Sequence, residues 1–156
     1  MSFNLNILVK VRTVDIIDRN EWARMRNSLW PDSIAGHLNE IERYFAQGEI
    51  DGEKVFVLAR DNGKLGGFIE LKVRNYAEGS QSAQVPYVEG WYVDRDLRGC
   101  GYGRQLIEIA EIWALENGFK ELASDAELNN LASITAHKAL GFQEVERIVC
   151  FLKKLG

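Results

Sequence analysis

Apolar and polar side chains alternate over residues 5–12. Leu5, Ile7, Val9 and Val11 fall on one face, and Asn6, Leu8, Lys10 and Arg12 on the other, which predicts a strand. The period then lengthens. Trp22, Met25 and Leu29 recur at helical spacing behind Asp18-Arg19-Asn20-Glu21, which reads as a capping box with Asp18 as N-cap and Glu21 three residues on. Pro31 ends that helix. A second helix is expected over 34–47, with His37 as an exposed residue and Gly48 at its C′ position. Residues 54–60 and 65–74 are apolar runs flanking Asp61-Asn62-Gly63-Lys64, a hairpin signal. Residues 78–84 read as a polar loop and 87–93 as a strand. A helix over 104–117, stopped by Gly118, repeats Leu106, Ile107, Ile109, Ala110, Ile112, Trp113 and Ala114. A short strand over 121–125, a helix over 130–140 ending at Gly141, and a last strand over 144–153 complete the chain. The order β-α-α-β-β-β-α-β-α-β predicts an α/β (α+β) fold: a mixed, mostly antiparallel sheet with helices on both faces. It does not fit a doubly wound nucleotide fold, which alternates strand and helix from the start.

Composition narrows the class. The chain has 156 residues, 46% hydrophobic and 27% charged, with two prolines and no internal repeat, so one domain over 1–156 is expected. No run is long enough to span a membrane, and no secretory leader is expected, so the cytoplasm is the default compartment. Cys100 and Cys150 are far apart and suggest neither a disulfide framework nor a metal site. The net charge of −4, from 23 acidic and 19 basic residues, disfavours nucleic acid and is compatible with a cationic substrate.

The candidate chemistry starts at Arg98-Gly99-Cys100-Gly101-Tyr102-Gly103, between an expected strand and an expected helix. Such a turn leaves backbone N–H groups uncovered at a helix start, where phosphates bind, and Arg98 and Arg104 add charge. The plain alternative is a tight turn and nothing more. A Walker A loop would need Lys-Ser or Lys-Thr after the glycines, and a dinucleotide fingerprint would need Gly-x-Gly-x-x-Gly; neither is present.

The run does match Arg-x-x-Gly-x-Gly at Arg98, Gly101 and Gly103. A later segment carries Asn129-Asn130 and then His137-Lys138-Ala139-Leu140-Gly141-Phe142. On these motifs and the element order, the whole chain resembles the GNAT acetyltransferases. The resemblance implies acetyl-CoA as cosubstrate and no metal. It implies that pantetheine lies along the open edge of the strand at Trp91, Tyr92 and Val93. The pyrophosphate would then sit on Arg98, Gly99, Cys100, Gly101, Tyr102, Gly103 and Arg104, with Asn130 as a further coenzyme contact.

Leu29-Trp30-Pro31, Glu89-Gly90, Ala123-Ser124-Asp125 and 140–147 resemble one branch of that family, the aminoglycoside 6'-N-acetyltransferases. The resemblance places Trp30, Tyr76, Glu89, Asp125 and Glu146 at the sugar site and implies a homodimer, for which Ile148–Leu152 could supply the interface. The residue types suit the substrate, since polyamines need converging carboxylates and aromatic walls. Each carboxylate could instead be merely solvated, and Trp30 could be core. Glu89 stands out because it lies in an otherwise apolar strand, where an unpaired charge is costly. Glu89 or Asp125 is the candidate general base, and a backbone N–H near Val93 the candidate oxyanion donor. Many GNAT enzymes place a tyrosine four residues before the glycine of Leu-Gly-Phe. Here the position holds His137, which either donates a proton to the leaving thiolate or packs. Cys100 has no base beside it for a covalent route. A different amine acceptor, such as a polyamine, and a non-catalytic coenzyme-binding module are the competing readings.

Overall fold

The computed structural model describes residues 8–47 and 52–156. The start of the first expected strand and the C′ glycine at position 48 lie outside those residues. The elements are β1 (Val9–Thr13), α1 (Arg19–Leu29), α2 (Ile34–Ala46), β2 (Glu53–Arg60), β3 (Leu65–Arg74), β4 (Val85–Val93), α3 (Tyr102–Glu116), β5 (Ala123–Ser124) and α4 (Leu131–Ala139). They form one sheet in the order β1-β2-β3-β4-β5, antiparallel as far as β4 and parallel between β4 and β5.

Strand alternation divides the core. Val55 and Val57 of β2 and Phe68 of β3 pack with Trp22, Ala23, Met25 and Ile41 of α1 and α2. Phe56 and Leu58, with Ile69 and Leu71, pack on the other face against Leu106, Ile107 and Ala110 of α3. One period-two sequence thus serves two helical layers. The β2–β3 hairpin closes as its Asn-Gly implies, with the Arg60 N–H on the Lys64 carbonyl at 2.8 Å and Gly63 at φ +79°.

Three sequence expectations are corrected. The capping box lies one turn earlier, on the 3-10 turn Ile16–Asp18. Asp15 is the N-cap, and the Asp18 carboxylate accepts from the Asp15 N–H. Asp18 makes no side-chain cap for α1, because its oxygens also take both ends of the Arg12 guanidinium at 2.6 and 2.9 Å. His37 is buried, not exposed. Arg26 Nε donates to its Nδ1 at 3.3 Å, so its Nε2 carries the proton and donates to the Trp30 carbonyl at 3.0 Å.

The third correction concerns the last strand. Residues 143–156 form no helix or strand. The segment leaves the domain with Val149 71%, Phe151 92% and Leu152 90% exposed. A strand exists only with a partner for its backbone groups. Within one chain β5 offers two paired residues, and the tail does not add to it.

Candidate active site

Glu89 owes its position to a defect in the sheet. Leu71 lies opposite Val88 and Glu70 opposite Gly90, so Glu89 is the extra residue of a β-bulge. A bulge turns a side chain out of the strict alternation, and it brings this carboxylate to the half-buried rim of the sheet. The next residue must be glycine for a packing reason. A Cβ on Gly90 would lie 2.4 Å from Trp30 Cη2, so the indole rests on bare backbone. Trp30, at the end of α1, also meets Phe68 edge-on with ring centroids 6.3 Å apart.

Glu89 is tied to Asp125 through two other side chains. Arg74 grips Glu89 with a fork, Nε to Oε1 at 2.7 Å and Nη2 to Oε2 at 2.6 Å. Its guanidinium lies 3.6 Å from the ring centroid of Tyr87, and the Tyr87 hydroxyl donates to Asp125 Oδ2 at 2.7 Å. Burial pushes the Tyr87 phenol up and the hydrogen bond to Asp125 adds to it, so the ring stays a protonated donor. The chain therefore joins β3, β4 and the end of β5. Tyr76 follows two residues after Arg74 and is 65% exposed. Glu146 is not drawn in; it lies on the exposed tail, next to Val145, which packs over Gly79 of the 75–84 loop.

On the α1–α2 side of Glu89 opens a cleft of about 290 Å³. Glu40, Glu53, Glu70 and Glu89 line it together with Trp22, Trp30 and Tyr44, and Arg26, Arg43 and Lys72 offset part of that charge. Arg26 organises the wall. Its guanidinium donates to Glu70 and Glu40, bonds His37 and lies 5.1 Å from the Trp30 ring centroid. Glu70 also accepts from Trp22 Nε1 at 2.9 Å. Burial pushes the Glu70 carboxyl up, and the opposing charge and hydrogen bond of Arg26 do not fully offset that push.

The glycine run forms the other end of the site. Gly99 and Gly101 take φ of +75° and +88°, a region that disfavours a side chain, and nothing lies within 4 Å of a Cβ placed there. Gly101 is the N-cap of α3 and supplies no side chain to the first-turn N–H groups, which leaves them for an anion. The turn is anchored by Arg98 Nε on the Val93 carbonyl at 2.8 Å and by Trp91 Nε1 on the Gly103 carbonyl at 3.2 Å. Arg104 and Cys100 are exposed, and Tyr102 is half-buried against the α3 core. β4 pairs with β5 only at Tyr87 and Val88. Beyond Val88 the β5-side edge of β4, including Trp91, Tyr92 and Val93, has no strand partner among the described residues. An extended amide-bearing ligand can pair there. Asp94 fixes the end of that edge, bonding Arg24 at 3.0 Å with both oxygens and Arg60 at 3.1 Å.

Known proteins now bear on this geometry. The profile of the acetyltransferase (GNAT) family matches residues 22–142. The chain belongs to the GNAT acetyltransferase family. A relative, aminoglycoside N(6')-acetyltransferase type 1 of Klebsiella aerogenes, is 40% identical over 146 residues, covering 93% of this chain and 96% of the relative. The crystal structure of the aminoglycoside 6'-N-acetyltransferase AAC(6')-Ih from Acinetobacter baumannii superimposes with a TM-score of 0.87 at 31% identity, over 96% of this chain and 100% of that one. That of AAC(6')-Iy in complex with CoA gives 0.87 at 30%, over 96% and 97%. GNAT enzymes use acetyl-CoA as donor. The open edge and the uncovered helix start fit that ligand, with its amide-rich arm and its pyrophosphate. Among the described residues no group of three or more His, Cys, Asp and Glu side chains could hold a metal ion.

His137 is held at both nitrogens in this GNAT domain. Its Nδ1 meets the Ser133 carbonyl at 2.7 Å and must donate there, and its Nε2 meets Ser124 Oγ at 2.8 Å. Trp91 and Phe142 pack edge-on against the ring, at centroid distances of 5.3 and 5.2 Å. The geometry joins α4 to β5 and holds the imidazole beside the coenzyme edge. Asn130 caps α4 through Oδ1 on the Ser133 N–H at 3.1 Å. Sequence reasoning missed Arg26, Glu70, Arg74 and Tyr87. Glu70 carried the same signal as Glu89, an ionisable residue inside an apolar strand.

Proposed function

We propose that this enzyme transfers the acetyl group of acetyl-CoA to the 6'-amino group of aminoglycosides, and so confers resistance to them. The observation that carries the reading is Glu89. It is aimed by a bulge, set beside Trp30, and linked to Asp125, at the point where β5 stops pairing and the open edge of β4 begins. Donor and cationic acceptor meet there. Trp91, Tyr92 and Val93 would align the pantetheine, and residues 98–104 and Asn130 would bind the phosphate-bearing part. Trp30, Tyr76, Glu89, Asp125 and Glu146 would hold the sugar.

The chemistry follows from those positions. An ammonium group must lose a proton before it can attack a thioester. Glu89 or Asp125, directly or through one water, accepts it. An N–H near Val93 stabilises the oxyanion, and His137 is the candidate proton donor to the thiolate, a role that requires it to give up the Ser124 contact at Nε2 and carry a second proton there. The tail bears on assembly. Val149, Phe151 and Leu152 form an exposed apolar run of the kind that marks an interaction surface. A cytoplasmic homodimer in which the tail of each copy packs on the other, bringing Glu146 to a sugar site, accounts for them.

Thiol release from acetyl-CoA, followed with kanamycin, spermidine and a peptide in parallel, tests the reading. Saturable release with kanamycin supports it. Release only with spermidine or the peptide transfers the acceptor to that class, and no release with any amine leaves a coenzyme-binding module.

A further inference from the structure

Glu89 is already occupied by a cation. Arg74 meets both of its oxygens at 2.6 and 2.7 Å, the bidentate arrangement in which a carboxylate is most fully used. The guanidinium does not sit there for want of another place. It is stacked at 3.6 Å on the Tyr87 ring, whose hydroxyl is fixed by Asp125, so the protein holds this cation between its two candidate acceptor carboxylates. Both partners remain partly open to water, Arg74 at 39% and Glu89 at 27% exposure, so the pair can be opened without unfolding its surroundings.

Resting on the acceptor reading above, we infer that Arg74 is an internal stand-in for the substrate ammonium, which the incoming aminoglycoside must displace from Glu89. The exchange has two consequences. Affinity for any amine is reduced by the fraction of time that Arg74 holds the carboxylate. A polyamine anchored elsewhere, for instance by the carboxylates of the 290 Å³ cleft, displaces Arg74 at high local concentration. A monoamine lacks that second hold. Arg74 is then a specificity-determining residue that favours polycations over simple amines. The displaced guanidinium need not leave the site, because Asp125 lies at the hydroxyl end of the same tyrosine.

Arg74→Met keeps an apolar side chain over Tyr87 and removes the competing charge; Arg74→Lys keeps a charge without the fork. For Arg74→Met the KM for kanamycin falls about twofold to fivefold, the range over which a half-exposed ion pair competes. Turnover of 6-amino-6-deoxyglucose, a sugar with one amine, rises relative to kanamycin. Arg74→Lys falls between the two proteins. If Arg74 served only to orient Glu89, Arg74→Met would raise the KM for kanamycin, and an equal or higher KM overturns the inference. Calorimetric titration with kanamycin separates the two failures. An unaltered protein that binds no kanamycin refutes the acceptor reading and this inference with it. Binding by the unaltered protein, with equal or weaker binding by Arg74→Met, refutes the inference alone.

Discussion

Arg26→Met removes the cation that keeps the Glu70 carboxylate inside the contact between α1 and β3. Arg26 is 8% exposed, and it bonds Glu70, Glu40 and His37 at once. After the substitution Glu70 retains the Trp22 indole N–H and, among the described residues, no positive charge within bonding reach. Removing one partner of a buried ion pair costs about 3–5 kcal/mol, mostly for the charge left behind. The contact with Glu40 adds little, because that side chain is 62% exposed. At about 2–4 °C per kcal/mol for a domain of this size, the melting temperature falls by about 6–20 °C.

The pH dependence has a definite sign. Burial holds the folded-state pKa of Glu70 above its ordinary value even with Arg26 present, and without Arg26 it rises further. The folded state then binds more protons than the unfolded state between the two values. Stability therefore increases as pH falls through that window. Thermal melts by circular dichroism at pH 7 and pH 5 measure this directly. The deficit of Arg26→Met shrinks at pH 5, and at pH 7 the double variant Arg26→Met/Glu70→Gln melts above Arg26→Met. A loss below about 1 kcal/mol, or a deficit untouched by acid and by Glu70→Gln, refutes the reasoning.

Four further outcomes follow from the geometry. Gly90→Ala puts a methyl group 2.4 Å from Trp30 Cη2 and displaces the indole, so the KM for kanamycin rises at least about tenfold while coenzyme binding measured by calorimetry persists. Asp94 is pushed up by burial, but Arg24 and Arg60 outweigh that and hold its carboxyl below the usual range. Its stabilisation is present above about pH 4 and is lost as pH falls through the depressed value; Asp94→Asn lowers the melting temperature at pH 7 and flattens the acid limb of the stability profile. His137→Phe lowers kcat and flattens its pH profile if the imidazole supplies the leaving-group proton, and an unchanged kcat restricts it to joining α4 to β5. Cys100→Ala keeps its activity, because the exposed thiol meets only the Arg98 carbonyl among the described residues.

Local chemistry was the part of this fold legible in the sequence. The Asn62-Gly63 hairpin, the glycine turn and the apolar stripe of α3 each depend on residues a few positions apart, and each stands where the sequence puts it. The capping box shows how tertiary contacts override such signals. Asp15-x-x-Asp18 and Asp18-x-x-Glu21 are both acceptable spacings, and Arg12 decides between them by claiming Asp18 from the neighbouring strand. His37 was misplaced for the same reason, since its partners Arg26 and Trp30 come from a different helix. The tail carries the alternation of a strand without a partner among the described residues of its own chain. Within the site, Glu89 was legible as a charge in an apolar run. That a bulge would present it, and that Arg74 would hold it, depends on the pairing register of β3 with β4, which no single strand encodes.

The central claim is that the bulged Glu89 and Asp125 present one particular amine of a polycation to the thioester. The direct measurement is the position of the new acetyl group by NMR, after kanamycin has reacted with acetyl-CoA labelled with 13C in the acetyl group. A single labelled amide on the 6'-nitrogen is the result expected, and Glu89→Gln slows its appearance at least about a hundredfold, the usual weight of a positioned general base. A label on another nitrogen, or none on any, contradicts the account.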